Sequence, residues 1–532
     1  MMHMKSIYRL LITVLFAGFV LYGCDGEFDS LVDANADRNP IPDTEIEASQ
    51  GDADFTNYVA IGNSLTAGFM DGALYNNGQR FSLGALLSAQ FEYTGAPSTF
   101  NQPDINSANG FNTQVNTGDG VVLGRFKLDT NIPGPSPTVN GDQITPYDGS
   151  ASALNNFGVP GIRVGELLTP ETAENNPFYG RFASSPGSST ILEDAISANP
   201  TFFSLWIGSN DVLGYALGGA TNPSALTSTE AFQNNFSQVV EQLVENTSAQ
   251  GIVANIPPVL AVPLFQAVPR DAVELDQATA DQLNAGFSGF DQALDAIVSF
   301  LGHSSEDADR RRVSYQAGNN PILIVDPNLE NLGPKFDTLR QFGGITQEQR
   351  EALQPYVRSR PIETGELVLL PAASVLGTLA DPSNPNTPIG VVIPLGAQYT
   401  LTQENIVEIE TARGTFNAII ESVVDNANAQ GARLAFYDTN EQGSAFSQMF
   451  GFDGSGPGIT VDGIDLEPDF SPSGVFSTDG VHPNARGNAI LANEFIRAIE
   501  AEFNATIPRV DVLALPSVSL CAGDCVSQQG GS

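Results

Sequence analysis

The sequence holds only three histidines, His3, His303 and His482, so the search for a proton-accepting side chain is short. An imidazole that works as a general base needs a carboxylate on one ring nitrogen to hold its tautomer, with the other nitrogen left free. His482 has that setting. It lies in Ser477-Thr-Asp-Gly-Val-His-Pro-Asn484, with Asp479 three residues earlier and Gly480 between them to let the chain turn. By spacing alone, the same string also describes a solvated turn that carries a histidine. His303, in Leu301-Gly-His-Ser-Ser-Glu306, falls just past a helix end, where a histidine is expected to meet the last helix carbonyls or solvent. Its Gly-His-Ser-Ser string has Glu306 where a nucleophile elbow needs its second glycine, and no strand leads into it.

Two other groups of residues invite a chemical reading. Cys521 and Cys525 sit in a Gly- and Ser-rich tail at the spacing of a small local disulfide; no histidine lies near, and two thiols would leave a tetrahedral metal site half filled. The acidic run Asp462, Asp465, Glu467 and Asp469 lacks the EF-hand spacing and reads as a solvated loop. Neither pattern calls for a metal or an organic cofactor.

The elements that must position these residues alternate short apolar runs with amphipathic helices, the pattern of a parallel sheet with covering helices. Strands are expected over 58–61, 202–207, 251–256, 321–325 and 433–437, and helices over 82–91, 228–248, 276–301, 403–429 and 485–503. Stretches of about 92–150 and about 327–400 are rich in Gly, Pro, Asn and Asp without sustained periodicity. They read as insertions on the core, of a length that forms lids or substrate-shaping walls.

Four short blocks, in order, give the constellation a likeness. Gly62-Asn63-Ser64-Leu65 follows the first strand, Asn156-Phe-Gly-Val-Pro-Gly161 forms a turn, Gly208-Ser209-Asn210-Asp211 follows the strand ending in Trp206-Ile207, and Asp479-Gly-Val-His482-Pro483 precedes the last helix. Together they resemble the blocks of the SGNH/GDSL hydrolases, with Asn63 standing where that family has Asp. The resemblance implies a three-layer α/β/α, flavodoxin-like fold with a mostly parallel sheet, here carrying large insertions. It further implies Ser64 as nucleophile, His482 as general base and Asp479 as its orienting carboxylate. The oxyanion donors it implies are the backbone N–H groups of Ser64 and Gly161 and the amide of Asn210. More than 260 residues separate the third block from the last, so the family says little about the substrate.

Composition bounds the partners. Sixty-one acidic side chains against 22 basic ones give a net charge of −39, which excludes nucleic acid as a partner. The one basic cluster, Arg310 to Arg312, is expected to be balanced by Glu306, Asp307 and Asp309. The acidity is spread along the chain, as in proteins adapted to high salt. Lys5 and Arg9 precede an apolar run over 10–22 that is too short to span a membrane and reads as an export signal. Leu21-Tyr22-Gly23-Cys24 resembles a bacterial lipoprotein processing site, which would make Cys24 the lipid-bearing first residue and place the protein at the outer membrane, cell surface or periplasm. The expected plan is a signal over 1–23, a tether over 24–54, a hydrolase domain over 55–505 and a tail over 506–532. The activity this implies is hydrolysis of a lipid ester or an acylated glycan through an acyl-enzyme. The alternative is a surface lipoprotein that binds glycan or lipid on the same scaffold without turnover.

Overall fold

Runs such as Tyr58-Val-Ala-Ile61 and Phe202-Phe-Ser-Leu-Trp206 are almost wholly apolar because a parallel sheet is covered on both faces. In the computed structural model, which describes residues 47–112, 122–129, 138–522 and 525, five such segments pair side by side. They are β1 (Tyr58–Gly62), β2 (Asn156–Gly158), β3 (Phe202–Trp206), β4 (Gln250–Ala254) and β5 (Leu434–Tyr437). All pairings are parallel, in the order β5-β4-β3-β1-β2. Read from the other edge this is 2-1-3-4-5, the doubly wound order that opens a crevice at the carboxyl ends of β1 and β3.

Side chains alternate across the sheet with the period of two that a strand imposes. The helices that bear on the core and the site are, in chain order, α1 (Ser64–Ala67), α2 (Leu83–Phe91), α3 (Ile191–Ser197), α4 (Ser209–Leu217), α5 (Thr229–Asn246), α6 (Gln277–Leu301), α7 (Gly333–Gln341), α8 (Gln403–Ala429), α9 (Ala445–Met449) and α10 (Ala485–Phe503). Val59, Ile61, Phe203 and Leu205 face α3, α5 and α8, where Phe232 and Phe416 stack 4.1 Å apart. Tyr58, Ala60, Phe202 and Trp206 face α2 and α10, where Trp206 meets Phe495 at 5.4 Å. The result is the expected three-layer α/β/α fold.

Three elements differ from expectation. The edge strand β2 is only Asn-Phe-Gly and reads in the sequence as a turn, not a strand. The 321–325 run does form a strand, Leu323–Val325, but pairs antiparallel with Ser359–Pro361 away from the main sheet. Helix α6 likewise leaves the sheet: its Phe287, Phe290, Leu294 and Ile297 pack on Phe336 and Leu339 of α7. Amphipathic periodicity names the buried face of a helix without naming what covers it, so the inserted block begins well before residue 327.

A buried charge cluster ties this block to the core. Arg360 Nε lies 2.7 Å from Asp326 Oδ2, and its two terminal nitrogens donate to both oxygens of Glu366 at 2.7 and 2.6 Å. Glu366 Oε1 also accepts from the Gln403 N–H that opens α8, at 3.1 Å. The neighbouring arginines find more partners than their own helix supplies. Arg311 pairs with Asp307, Arg312 with Asp309, Asp291 and Asp295, and Arg310 reaches Glu363.

The expected signal, Cys24 and the tether up to residue 46 lie outside the described residues. From Ser49 the chain is already paired, since Ser49 bridges Thr506 and the Asp52 N–H donates to the Phe503 carbonyl at 2.7 Å. The tether expected up to residue 54 therefore stops short of that point. Ile507, Val510 and Val512 of the expected tail are buried in the α2 and α10 layer, and Cys521 and Cys525 are joined by a disulfide. Among the described residues no helix is long and apolar enough to cross a membrane.

Candidate active site

Strand β1 ends at Gly62, and Asn63 caps the short helix that follows by accepting the Leu65 N–H at 3.0 Å. That side-chain oxygen is present in Asn and Asp alike, so the cap survives the replacement and only a charge is absent. Ser64 is thereby the first residue of α1, at the carboxyl end of the sheet. Room for α1 comes from glycine: a Cβ on Gly158 of β2 would lie 2.3 Å from the Ala67 nitrogen.

The second half of the site comes from the turn before α10. Gly480 has φ +73°, a left-handed conformation that lets the chain double back. Asp479 Oδ1 accepts the N–H groups of Val481 and His482, both at 2.9 Å, and Oδ2 lies 2.9 Å from His482 Nδ1. His482 Nε2 lies 2.8 Å from Ser64 Oγ. The three residues singled out in the sequence thus form one hydrogen-bonded chain across more than 400 positions. Phe69 packs on the imidazole at 5.0 Å between ring centres. Asn484 closes the turn by capping α10 with bonds from Arg486 and Gly487 N–H.

Burial by itself would push the Asp479 carboxyl up, but the His482 charge and the hydrogen bonds from His482 and Val481 outweigh it and bring the group down to about 2. A depressed carboxyl lends its stability above its unfolded value and loses it as pH falls through the folded one. The contribution of Asp479 is therefore expected to be complete above about pH 4 and to fade toward about pH 2. Thermal melts of wild type and Asp479→Asn across that range should converge as pH drops; a constant gap would refute the assignment.

The remaining candidates divide. Asn210 opens α4 beyond β3 and lines the same cleft as Ser64. Its Nδ2 donates to the Ile162 carbonyl at 2.9 Å, which holds it beside the Gly161 loop. Next to it, Asp211 accepts the Val164 N–H at 3.0 Å and the Thr227 hydroxyl at 2.8 Å. Burial pushes its carboxyl up to about 6 against those bonds. Gly161, at φ +83°, is exposed and does not line the cleft walls. His303 is not near this site and does not face solvent. Its buried ring donates from Nε2 to Asp307 at 2.6 Å and accepts Lys335 Nζ at Nδ1 at 2.8 Å, within the inserted block. The acidic run forms an exposed hairpin, Ile459–Val461 with Ile464–Leu466, turning at Asp462 and Gly463. Among the described residues no group of three or more His, Cys, Asp or Glu is placed to hold a metal.

Sequence reasoning missed the residues that hold the Asp479 turn. The Gly72 N–H donates to Asp479 Oδ2 at 2.9 Å, and Asp71 bonds Ser477 and Thr478. The only signal was an Asp-Gly pair just after the Ser64 block, which reads as an ordinary turn.

The cleft beside Ser64 encloses about 870 Å3, its mouth included. Beyond Asn63, Ser64, Asn210 and His482 its walls are almost wholly apolar: Leu65, Trp206 and Leu213 from the core, Ile490 and Leu491 from α10, and Phe446, Met449 and Phe450 from α9 and the residue after it.

No curated protein and no solved structure matches the chain. Residues 58–315 match the family model described as GDSL-like Lipase/Acylhydrolase; this segment contains Ser64, Gly161 and Asn210 and ends before the Asp479 turn. That match over nearly half of the chain, the parallel five-stranded sheet and the four blocks in order together support the SGNH/GDSL hydrolase family for this chain, a family that acts on esters.

Proposed function

We propose that the protein hydrolyses carboxylic esters with an apolar acyl group, through an acyl-enzyme formed on Ser64. The observation that carries this reading is the unbroken chain from Ser64 Oγ to His482 Nε2 and from His482 Nδ1 to Asp479, opening on an apolar cleft. His482 takes the Ser64 proton as Oγ attacks the ester carbonyl, then delivers it to the leaving alcohol. Water repeats the sequence on the acyl-enzyme. Asp479 stays ionised and holds the tautomer that leaves Nε2 free. Negative charge on the tetrahedral oxygen falls to neutral donors in the cleft: the Ser64 N–H and the Asn210 amide hydrogen not used on Ile162.

The acyl chain, not the alcohol, is assigned to the cleft because burying methylene groups against Trp206, Ile490 and Phe450 gains about 0.8 kcal/mol each, while a sugar there would leave hydroxyls without partners. A series of p-nitrophenyl esters in molar salt tests this. Turnover should improve from acetate toward medium chains, and absence of turnover on every ester would overturn the reading. Ala445 faces the cleft from α9, so Ala445→Phe should shorten it and reduce kcat/KM for decanoate relative to butyrate by about tenfold or more. Equal loss on both esters would place the acyl group elsewhere.

Export and lipid attachment at Cys24 remain part of the proposal, as the reason such a hydrolase carries a charged and apolar N-terminal segment ending in cysteine.

A further inference from the structure

Asp71 takes no part in proton transfer, yet it is bound to the site from several sides. It is buried, and its φ of 57° is one that residues other than glycine seldom adopt. That conformation aims two successive N–H groups at the acid turn: Asp71 donates to Ser477 Oγ at 2.9 Å and Gly72 to Asp479 Oδ2 at 2.9 Å. The Asp71 carboxylate reaches the same turn. Its Oδ1 accepts the Thr478 N–H at 3.0 Å and the Thr478 hydroxyl at 2.7 Å. Its Oδ2 accepts the Tyr75 hydroxyl at 2.7 Å and lies 3.7 Å from Arg125 Nη1. Arg125 in turn lies over the Tyr75 ring at 4.8 Å, and the next residue, Phe126, donates its N–H to the Asp71 carbonyl at 2.8 Å.

The Thr478 N–H, the Thr478 hydroxyl and the Tyr75 hydroxyl all donate to the carboxylate and Arg125 pairs with it at 3.7 Å, an arrangement that suits the ionised form. The charged groups that face it are Arg125 and Asp479, with Tyr75 as the third titratable neighbour. Burial and the Asp479 charge both push the Asp71 carboxyl up, so the ionised group is held there at the expense of stability. A costly charge kept beside a proton-transfer chain points to a role in that chain's geometry.

Taking the Ser64, His482 and Asp479 reading as its basis, we propose that Asp71 is a positioning residue of the hydrolytic site. Its carboxylate and the Asp71 and Gly72 N–H groups pin the turn at Ser477 to Asp479 onto the segment that follows the nucleophile helix. Arg125, from the segment inserted between α2 and β2, balances the charge. Asp479 Oδ2 is shared between His482 Nδ1 and the Gly72 N–H, so a slackened turn lets the carboxylate rotate away from the imidazole.

The experiment uses the full chain with p-nitrophenyl butyrate, a fluorophosphonate label and thermal melts. Asp71→Ala should lower kcat by about 10²-fold with KM within about threefold, since misplacement of the reacting groups is lost from kcat. Asp71→Asn keeps an oxygen for Thr478 and removes the charge, its amide now donating to the Tyr75 oxygen in place of accepting from it. It should recover part of that kcat and melt no lower than wild type. A folded Asp71→Ala with kcat within about twofold of wild type, a loss confined to KM, or an Asp71→Asn no more active than Asp71→Ala would each overturn the proposal. Should Asp71→Ala not fold, Thr478→Val, which deletes one of the four bonds, must still lower kcat, and wild-type kcat there would count against it. The label separates this inference from its basis: wild type labelled and Ser64→Ala unlabelled upholds the triad whatever Asp71 does, while labelling of Ser64→Ala defeats the triad itself.

Discussion

Ser64→Ala and His482→Ala are each expected to lower kcat on a short ester by about 10⁴- to 10⁶-fold while leaving the fold intact. The size follows from how the three groups are linked. In the proposed mechanism Ser64 Oγ, His482 and Asp479 act as one unit, so losing the nucleophile or the base leaves only substrate binding and oxyanion donors. The double variant should therefore be no worse than either single one, which is a sharper test than the size of the loss. Additive losses, or a His482→Ala enzyme that keeps a tenth of its activity, would mean that His303 or solvent supplies the base. His303 is poorly placed for that, with both ring nitrogens engaged by Asp307 and Lys335.

The largest expected effect on stability lies far from the chemistry. Arg360→Met removes the cation that is hydrogen-bonded to Asp326 and Glu366 in a buried cluster where all three side chains are shielded from water. Two buried carboxylates are then left facing one another without compensation, a change that typically costs about 3–5 kcal/mol. The opening turn of α8 should loosen as well, because Glu366 Oε1 also receives the Gln403 N–H. Chemical denaturation should show the loss as a lower midpoint with an unchanged slope. Replacing all three by Met and Leu together should restore most of the stability, because the desolvation cost goes with the charges. A triple variant as weak as the single one would show that shape, not charge, is what this site needs.

Long elements with caps were legible from sequence. Helices α8 and α10 begin after Thr402 and Asn484, whose side chains take the first free N–H groups, and both span the residues that their apolar periodicity marks. The Ser64, Asn210 and His482 blocks were legible because the chemistry needs those side chain types at strand and helix ends. What escaped depends on chain segments meeting in space. Strand β2 is three residues long and holds its place through β1 alone. Helix α6 shows the same stripe whether a sheet or α7 covers it. The role of Asp71 was invisible because it rests on a left-handed aspartate and on Arg125, two features no local pattern reports.

The division of the site between the two ends of the chain has a temporal consequence. A polypeptide emerging from its N-terminus exposes Ser64 early, but the base arrives only with residue 482 and is held in place only once α10 has docked on the sheet. During synthesis the chain therefore carries an inert serine, and the hydrogen-bonded chain to it can close only late. A protease cut that frees the last hundred residues would likewise disarm the enzyme without touching its nucleophile.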